Sequence, residues 1–216
     1  MQTVTDRTRD PFDLRPPCEQ PCPGDHAAVL GLGDANADVH VVGDHPGIHG
    51  GEGTGMPFTG TAGGERLLRV LETVGLLEFR EGKPSPVGTF LSYIHPCCTE
   101  AQPTDASYRT LERYFDAELR AISAHVLVPV GNRSVRHVME TYTSQSHRIG
   151  TDDDAIHTRE VRGRGFLVLP VKEPGDWNGT DEDRLEATLE KLLASDYRQL
   201  SDLGRFGTDG SPYLVR

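Results

Sequence analysis

The stretch Val39-His40-Val41-Val42-Gly43-Asp44-His45-Pro46-Gly47 runs on through His49-Gly50-Gly51, Thr54-Gly55 and Phe58-Thr59-Gly60. Its apolar first part, Val39 to Val42, reads as a buried strand. After the glycines, Leu67, Leu68, Val70, Leu71 and Val74 recur at helical spacing. The Gly-rich segment is therefore a strand-to-helix crossing. In an open α/β sheet the crevice beyond the carboxyl ends of the strands is where ligands bind, and glycines let backbone N–H groups approach a flat or anionic group closely. Asp44, His49 and Phe58 are the side-chain features of this backbone-built pocket.

The alternation continues outward. Gly88 to Ile94 reads as a second strand, His125 to Val130 as a third and Phe166 to Val171 as a fourth. Helical periodicity covers Thr110 to Ile122, Ser134 to Tyr142 and Glu182 to Ala194, and a polar excursion with a minor strand around Ile156 to Val161 fills the interval from Ser144 to Arg164. Strands alternating with helices predict an α/β three-layer sandwich, with a central, mostly parallel four-stranded sheet flanked by helices.

The loop resembles that of the uracil-DNA glycosylase superfamily, above all its iron-sulfur branches, families 4 and 5. Family 5 carries G-x-A-P-A-x-H-G-x-x-x-T-G-x-x-F-T-G-D. Gly43, Pro46, His49, Gly50, Thr54, Gly55, Phe58, Thr59 and Gly60 match it without a gap. Family 4 has G-E-A-P-G, which sets Asp44 on that family's catalytic carboxylate and agrees with Gly47. Later segments match less closely: Phe90 to Cys98, Glu118-Leu119, Val126 to Gly131, and Val171 to Asn178 at the family's H-P-S signature. The resemblance implies one glycosylase-like domain over residues 18–196, between an N-terminal extension, 1–17, and a C-terminal tail, 197–216.

The implied activity is hydrolysis of the N-glycosidic bond of uracil or another deaminated base in DNA repair. Its partner is DNA carrying that base, and a monomer is the expectation. Such an enzyme flips the nucleotide out, holds the base, and stabilises the departing anion while water attacks the sugar. Asp44 suits the polarising carboxylate, although an Asp in this setting also fixes loops by accepting backbone N–H bonds. Phe58 holds the family's base-stacking place, or is a core Phe. Gly43, His45, Gly47, His49 and Thr61 complete the candidate base site, with His49 serving either a ligand or the loop. Trp177 and Asn178 are candidate DNA contacts, Trp177 alternatively a packing residue.

Departures from the family bear on the chemistry. Thr61 stands where family 5 has an Asp, and Tyr93 or Ile94 where family 4 has an Asn that reads the uracil edge. Glu173 replaces the signature His and Gly175 the Ser. An ionised Glu173 would repel a departing uracil anion, so it is protonated, or it serves another base as a catalytic group, or activity is lost. The last case gives the second reading, an altered glycosylase-fold protein that binds nucleic acid or a nucleobase without cleaving it.

Iron-sulfur branches use four Cys, so the resemblance implies a 4Fe-4S cluster on Cys18, Cys22, Cys97 and Cys98. The pattern is altered: three residues separate Cys18 from Cys22, Cys97 adjoins Cys98, and the family's fourth place is Leu111. Zinc or four free thiols are the other readings. Four unevenly placed Cys do not make a secreted disulfide framework, and Met1 to Pro17 lacks an apolar signal core, so a reducing cytoplasm is expected. No apolar run of membrane-spanning length occurs among the 216 residues. Twenty-two Lys and Arg against 33 Asp and Glu give a net charge of −11. A nucleic-acid binder of this charge needs a local positive strip. Asp-rich sequence with few Lys also fits a salt-loving archaeal source, where salt screens self-repulsion.

Overall fold

The structure, a computed structural model, describes residues 8–9, 14–122, 124–143, 156–163 and 165–203. Most of the N-terminal extension, part of the polar excursion and residues 204–216 of the expected tail lie outside them. Strands form at β1 (Thr8–Arg9), β2 (Leu32–Gly33), β3 (Val39–Gly43), β4 (Leu77–Arg80), β5 (Lys83–Pro86), β6 (Thr89–Tyr93), β7 (Val126–Pro129), β8 (Val161–Arg162) and β9 (Leu167–Val168). Helices form at α1 (Pro46–His49), α2 (Ala62–Thr73), α3 (Asp105–Ile122), α4 (Asn132–Tyr142), α5 (Gly179–Leu193) and α6 (Tyr197–Leu203).

One sheet has the order β1-β2-β6-β3-β7-β9-β8. The expectation of four strands needs correction: among the described residues the sheet is mixed and has seven. Its centre, β6-β3-β7-β9, is parallel and contains the four strands read from the sequence. Antiparallel β1, β2 and β8 extend the edges. The two described residues of β1 and of β8, and Leu32-Gly33 in β2, are too short to show a period. Alternation along β3 divides the core. Val39 and Val41 pack with Leu67, Leu71, Leu185 and Leu189 of α2 and α5, whereas Val42 packs with Phe115, Leu119 and Val138 of α3 and α4. Helices therefore cover both faces of the sheet.

A separate hairpin, β4-β5, lies outside the strands expected from the sequence. Its turn is Glu81-Gly82, both at positive φ, the two-residue geometry that closes hairpins. In the first part of the expected C-terminal tail, residues 197–203 form α6, which packs on the sheet. Arg198 and the Tyr197 hydroxyl bind the Asp38 carboxylate, and the buried Ser201 hydroxyl pairs with His125 Nδ1 at 2.8 Å.

Candidate functional site

Parallel β3, β6, β7 and β9 all deliver their next residues to one edge, and the sequence-predicted groups collect there. Gly43 ends β3 because a side chain would not fit: a Cβ would lie 2.6 Å from the Tyr93 ring and 2.7 Å from His49 Nδ1. The chain then turns into α1. His45 caps that helix, its Nδ1 accepting from the Gly47 N–H at 3.1 Å, while its Nε2 pairs with Gln102 Oε1 at 3.1 Å. Burial lowers the His45 pKa, in keeping with a neutral ring. Gly50, at φ 95°, returns the chain against Thr59, whose carbonyl would lie 2.2 Å from any Cβ.

Asp44 is 7% exposed and held at both ends. Its N–H donates to His49 Nδ1 at 2.9 Å, its carbonyl accepts from the His95 N–H at 3.0 Å, and its Oδ1 accepts from the Tyr108 hydroxyl. Because Nδ1 of His49 accepts, the ring proton sits on Nε2, which donates to Glu173 Oε2 at 3.1 Å. The bridge Asp44 amide, His49, Glu173 joins the ends of β3 and β9. Glu173, the signature-His replacement, is thus half-buried and supplied with a donor.

Tyr108, not among the residues picked out by sequence, is the main addition. Burial first, then the Asp44 carboxylate, push its phenol pKa up and keep it a donor. The Arg133 guanidinium carbon lies 3.6 Å from the centroid of the Tyr108 ring and the group pairs with Asp105, so α3 and α4 together hold the ring. The signal was an aromatic residue one turn into the helix that follows the cysteine loop.

The other candidates serve the framework around this centre. Phe58 is fully buried in the main core, at φ 63°, with its ring 5.2 Å from Tyr93 and 5.5 Å from His49. Its N–H donates to the Tyr93 hydroxyl at 2.6 Å, and that hydroxyl donates to the Gly50 carbonyl at 2.9 Å. The ring supports His49 from behind, and a base stacking on it directly would have to displace a neighbour. Thr61 caps α2 and donates to the His49 carbonyl at 3.0 Å. Trp177 is 6% exposed and donates to the Lys172 carbonyl, so it packs rather than wedges. Asn178 closes a capping box with Asp181 at the start of α5. Arg66 of α2 holds this second loop through Glu182 and the carbonyls of Pro174 and Trp177.

The four Cys converge, in pairs: Cys18 is bonded to Cys97 and Cys22 to Cys98. A sulfur joined to another sulfur has no thiolate to give, and no group of three or more metal-ligating residues occurs among the described residues. As paired, the sulfurs are bonded to one another, while the same four side chains in reduced form are the donor set that the resemblance implies for a cluster. The disulfides fasten the segment around Cys18 to Cys22 onto the loop after β6, and Gly24 and Val29 add backbone bonds to Glu52 and Pro96. His95 completes the connection, its Nδ1 facing the Cys97 carbonyl at 3.2 Å.

Comparison with known proteins bears on the same residues. The family model for the uracil DNA glycosylase superfamily matches residues 30–194. A type-5 uracil-DNA glycosylase from Pyrobaculum aerophilum is 30% identical over 183 residues, 80% of this chain and 75% of that protein. A type-5 uracil-DNA glycosylase from Thermus thermophilus is 34% identical over 96 residues, 42% of this chain. That second match spans 44% of the Thermus protein. Since the family model covers the four parallel strands, the Gly-rich loop and the second loop, this chain belongs to the uracil DNA glycosylase superfamily.

Proposed function

We propose that the protein is a DNA glycosylase that hydrolyses the N-glycosidic bond of uracil or another deaminated base. The observation that carries this is the Asp44 carboxylate, fixed by Tyr108 at the carboxyl edge of the sheet and set between the Gly-rich loop and Glu173. In this reading Asp44 orients the attacking water and balances the positive charge that grows on the sugar. Gly43, His45, Gly47 and His49 form the cradle for the extruded base. Glu173, with the His49 N–H on its Oε2, carries less of its charge toward the leaving base than a bare carboxylate would. That pairing favours retained chemistry over a lost one.

Single-turnover excision from duplexes containing uracil, hypoxanthine or xanthine tests the proposal. Asp44→Asn should lower the rate by ~10²-fold or more with little change in DNA affinity, since only transition-state stabilisation is removed. Binding of all three duplexes by the wild-type chain, with excision of none, would refute hydrolysis and leave a binding protein.

A further inference from the structure

A net charge of −11 leaves open where a polyanion would be held, and of the cations described above Arg133 is stacked on Tyr108 and Arg66 is engaged by the second loop. The helices after β6 and β7 supply others. Because these strands are parallel, α3 and α4 both begin at the carboxyl edge, beside Asp44. Arg109 lies in the second turn of α3, Arg133 and Arg136 in the first two turns of α4, and all three line one cavity of about 300 Å³ between the helices. The Tyr108 ring forms its wall, so the cavity begins one phenol away from the Asp44 carboxylate.

Three features show that the space is built for a polar occupant. Arg109 and Arg136 make no ion pair or hydrogen bond among the described residues, in a chain where anions outnumber cations. His137, which also lines the cavity, has a buried Nε2 without a hydrogen-bond partner, and buried ring nitrogens are ordinarily paired. The α4 helix starts at Gly131 with no side-chain cap, leaving its first-turn N–H groups to other acceptors. The lining carries three carboxylates beside its three Arg, unevenly placed: Asp105 at the mouth is paired with Arg133, and Glu112 and Glu140 sit one turn further along their helices than Arg109 and Arg136, so an anion is favoured between those two Arg and disfavoured at the inner end.

Resting on the glycosylase reading, we propose that this cavity seats a phosphodiester group of the DNA strand that carries the extruded nucleotide, with Arg109 and Arg136 on the phosphate and His137 on the adjoining sugar. The local positive strip required of so acidic a DNA-binding chain is then the mouth between α3 and α4. Bidentate guanidinium groups suit a phosphate that must be positioned as well as attracted.

The test is equilibrium binding of a duplex with a tetrahydrofuran abasic site, which needs no excision, across a range of salt. Arg109→Gln with Arg136→Gln should weaken binding by about 10-fold and lower the slope of log Kd against log salt by about 1 to 2. The control pair Arg69→Gln and Arg184→Gln, exposed on α2 and α5 across the sheet, should leave both quantities as in wild type. Equal effects of the two pairs, or none from the first, overturn the proposal while DNA binding stands. A wild-type chain that binds no duplex overturns the glycosylase reading along with it. Inorganic phosphate followed by the His137 imidazole resonances separates the sources. A shift with phosphate that the duplex cannot reproduce marks a free-anion site and overturns the strand assignment.

Discussion

At the scale of single residues, one hydroxyl governs the candidate carboxylate. Tyr108 donates to Asp44 Oδ1, and Arg133 stacked on the ring fixes the phenol. Hydrogen bonds to charged groups contribute ~1.5–3 kcal/mol, so Tyr108→Phe should slow single-turnover excision roughly 10-fold to 100-fold. The abasic-duplex Kd should change little, because the ring and its stack on Arg133 remain. A fall in affinity with an unchanged saturating rate would make Tyr108 a strand contact and not a positioning residue.

At the scale of elements, the second loop is braced from within. Lys172 Nζ pairs with Asp181 Oδ2 at 2.8 Å, their side chains only 9% and 5% exposed, and Asp181 also closes the cap of α5. Removing one partner of a buried pair strands the other, so Lys172→Met should cost ~3–5 kcal/mol in urea unfolding. Lys172→Met combined with Asp181→Asn should recover part of that loss, and a single variant as stable as wild type would show the pair to be idle. The Cys-fastened segment gives a second prediction. Thiol titration of the denatured, unreduced chain should find no free thiol, and reduction should cost about 3 kcal/mol. Iron and acid-labile sulfide copurifying in stoichiometric amounts would overturn the pairing and restore the cluster that the resemblance implies.

These elements also show what sequence could and could not give. The four parallel strands were legible because burial on both faces writes an unbroken apolar run, as in Val126 to Val130. Of the edge strands, β8 falls at the end of the minor strand read around Ile156 to Val161, whereas Leu32-Gly33 is too short for any period. Asp44, His49 and Glu173 were legible as motif positions, but their bridge depends on β3 and β9 being brought to one edge, 124 residues apart. Tyr108 was silent because it stands two residues before Thr110, where the helical periodicity begins, in the first turn of α3. Phe58 was legible as a motif position and Trp177 and Asn178 as members of the second loop, but their burial and capping depend on the packed fold.

For the whole molecule, the buried histidines set a response to acid. His40, in the middle of β3, is fully buried with Nε2 on Ser92 Oγ at 2.8 Å, and burial lowers its pKa to about 3. Phe90 of β6 and Phe115 of α3 enclose the ring, with the Glu118 carboxylate 3.8 Å away as the charged group facing it. His95, His137 and His157 are lowered by burial as well. Each of these groups binds its proton more weakly folded than unfolded, so protons favour the unfolded chain. The stabilisation is complete above the unfolded value of about 6.5 and is lost as pH falls toward the folded value. Between pH 7 and pH 5, His40 alone should remove about 2 kcal/mol, which urea midpoints taken at half-unit steps would resolve. His40→Gln keeps a donor for Ser92 without a titrating ring, so its loss over that interval should be smaller by about that amount, whatever its stability at pH 7. Parallel curves for the two proteins would mean that His40 takes up its proton in the fold, with Glu118 as the partner that accepts it.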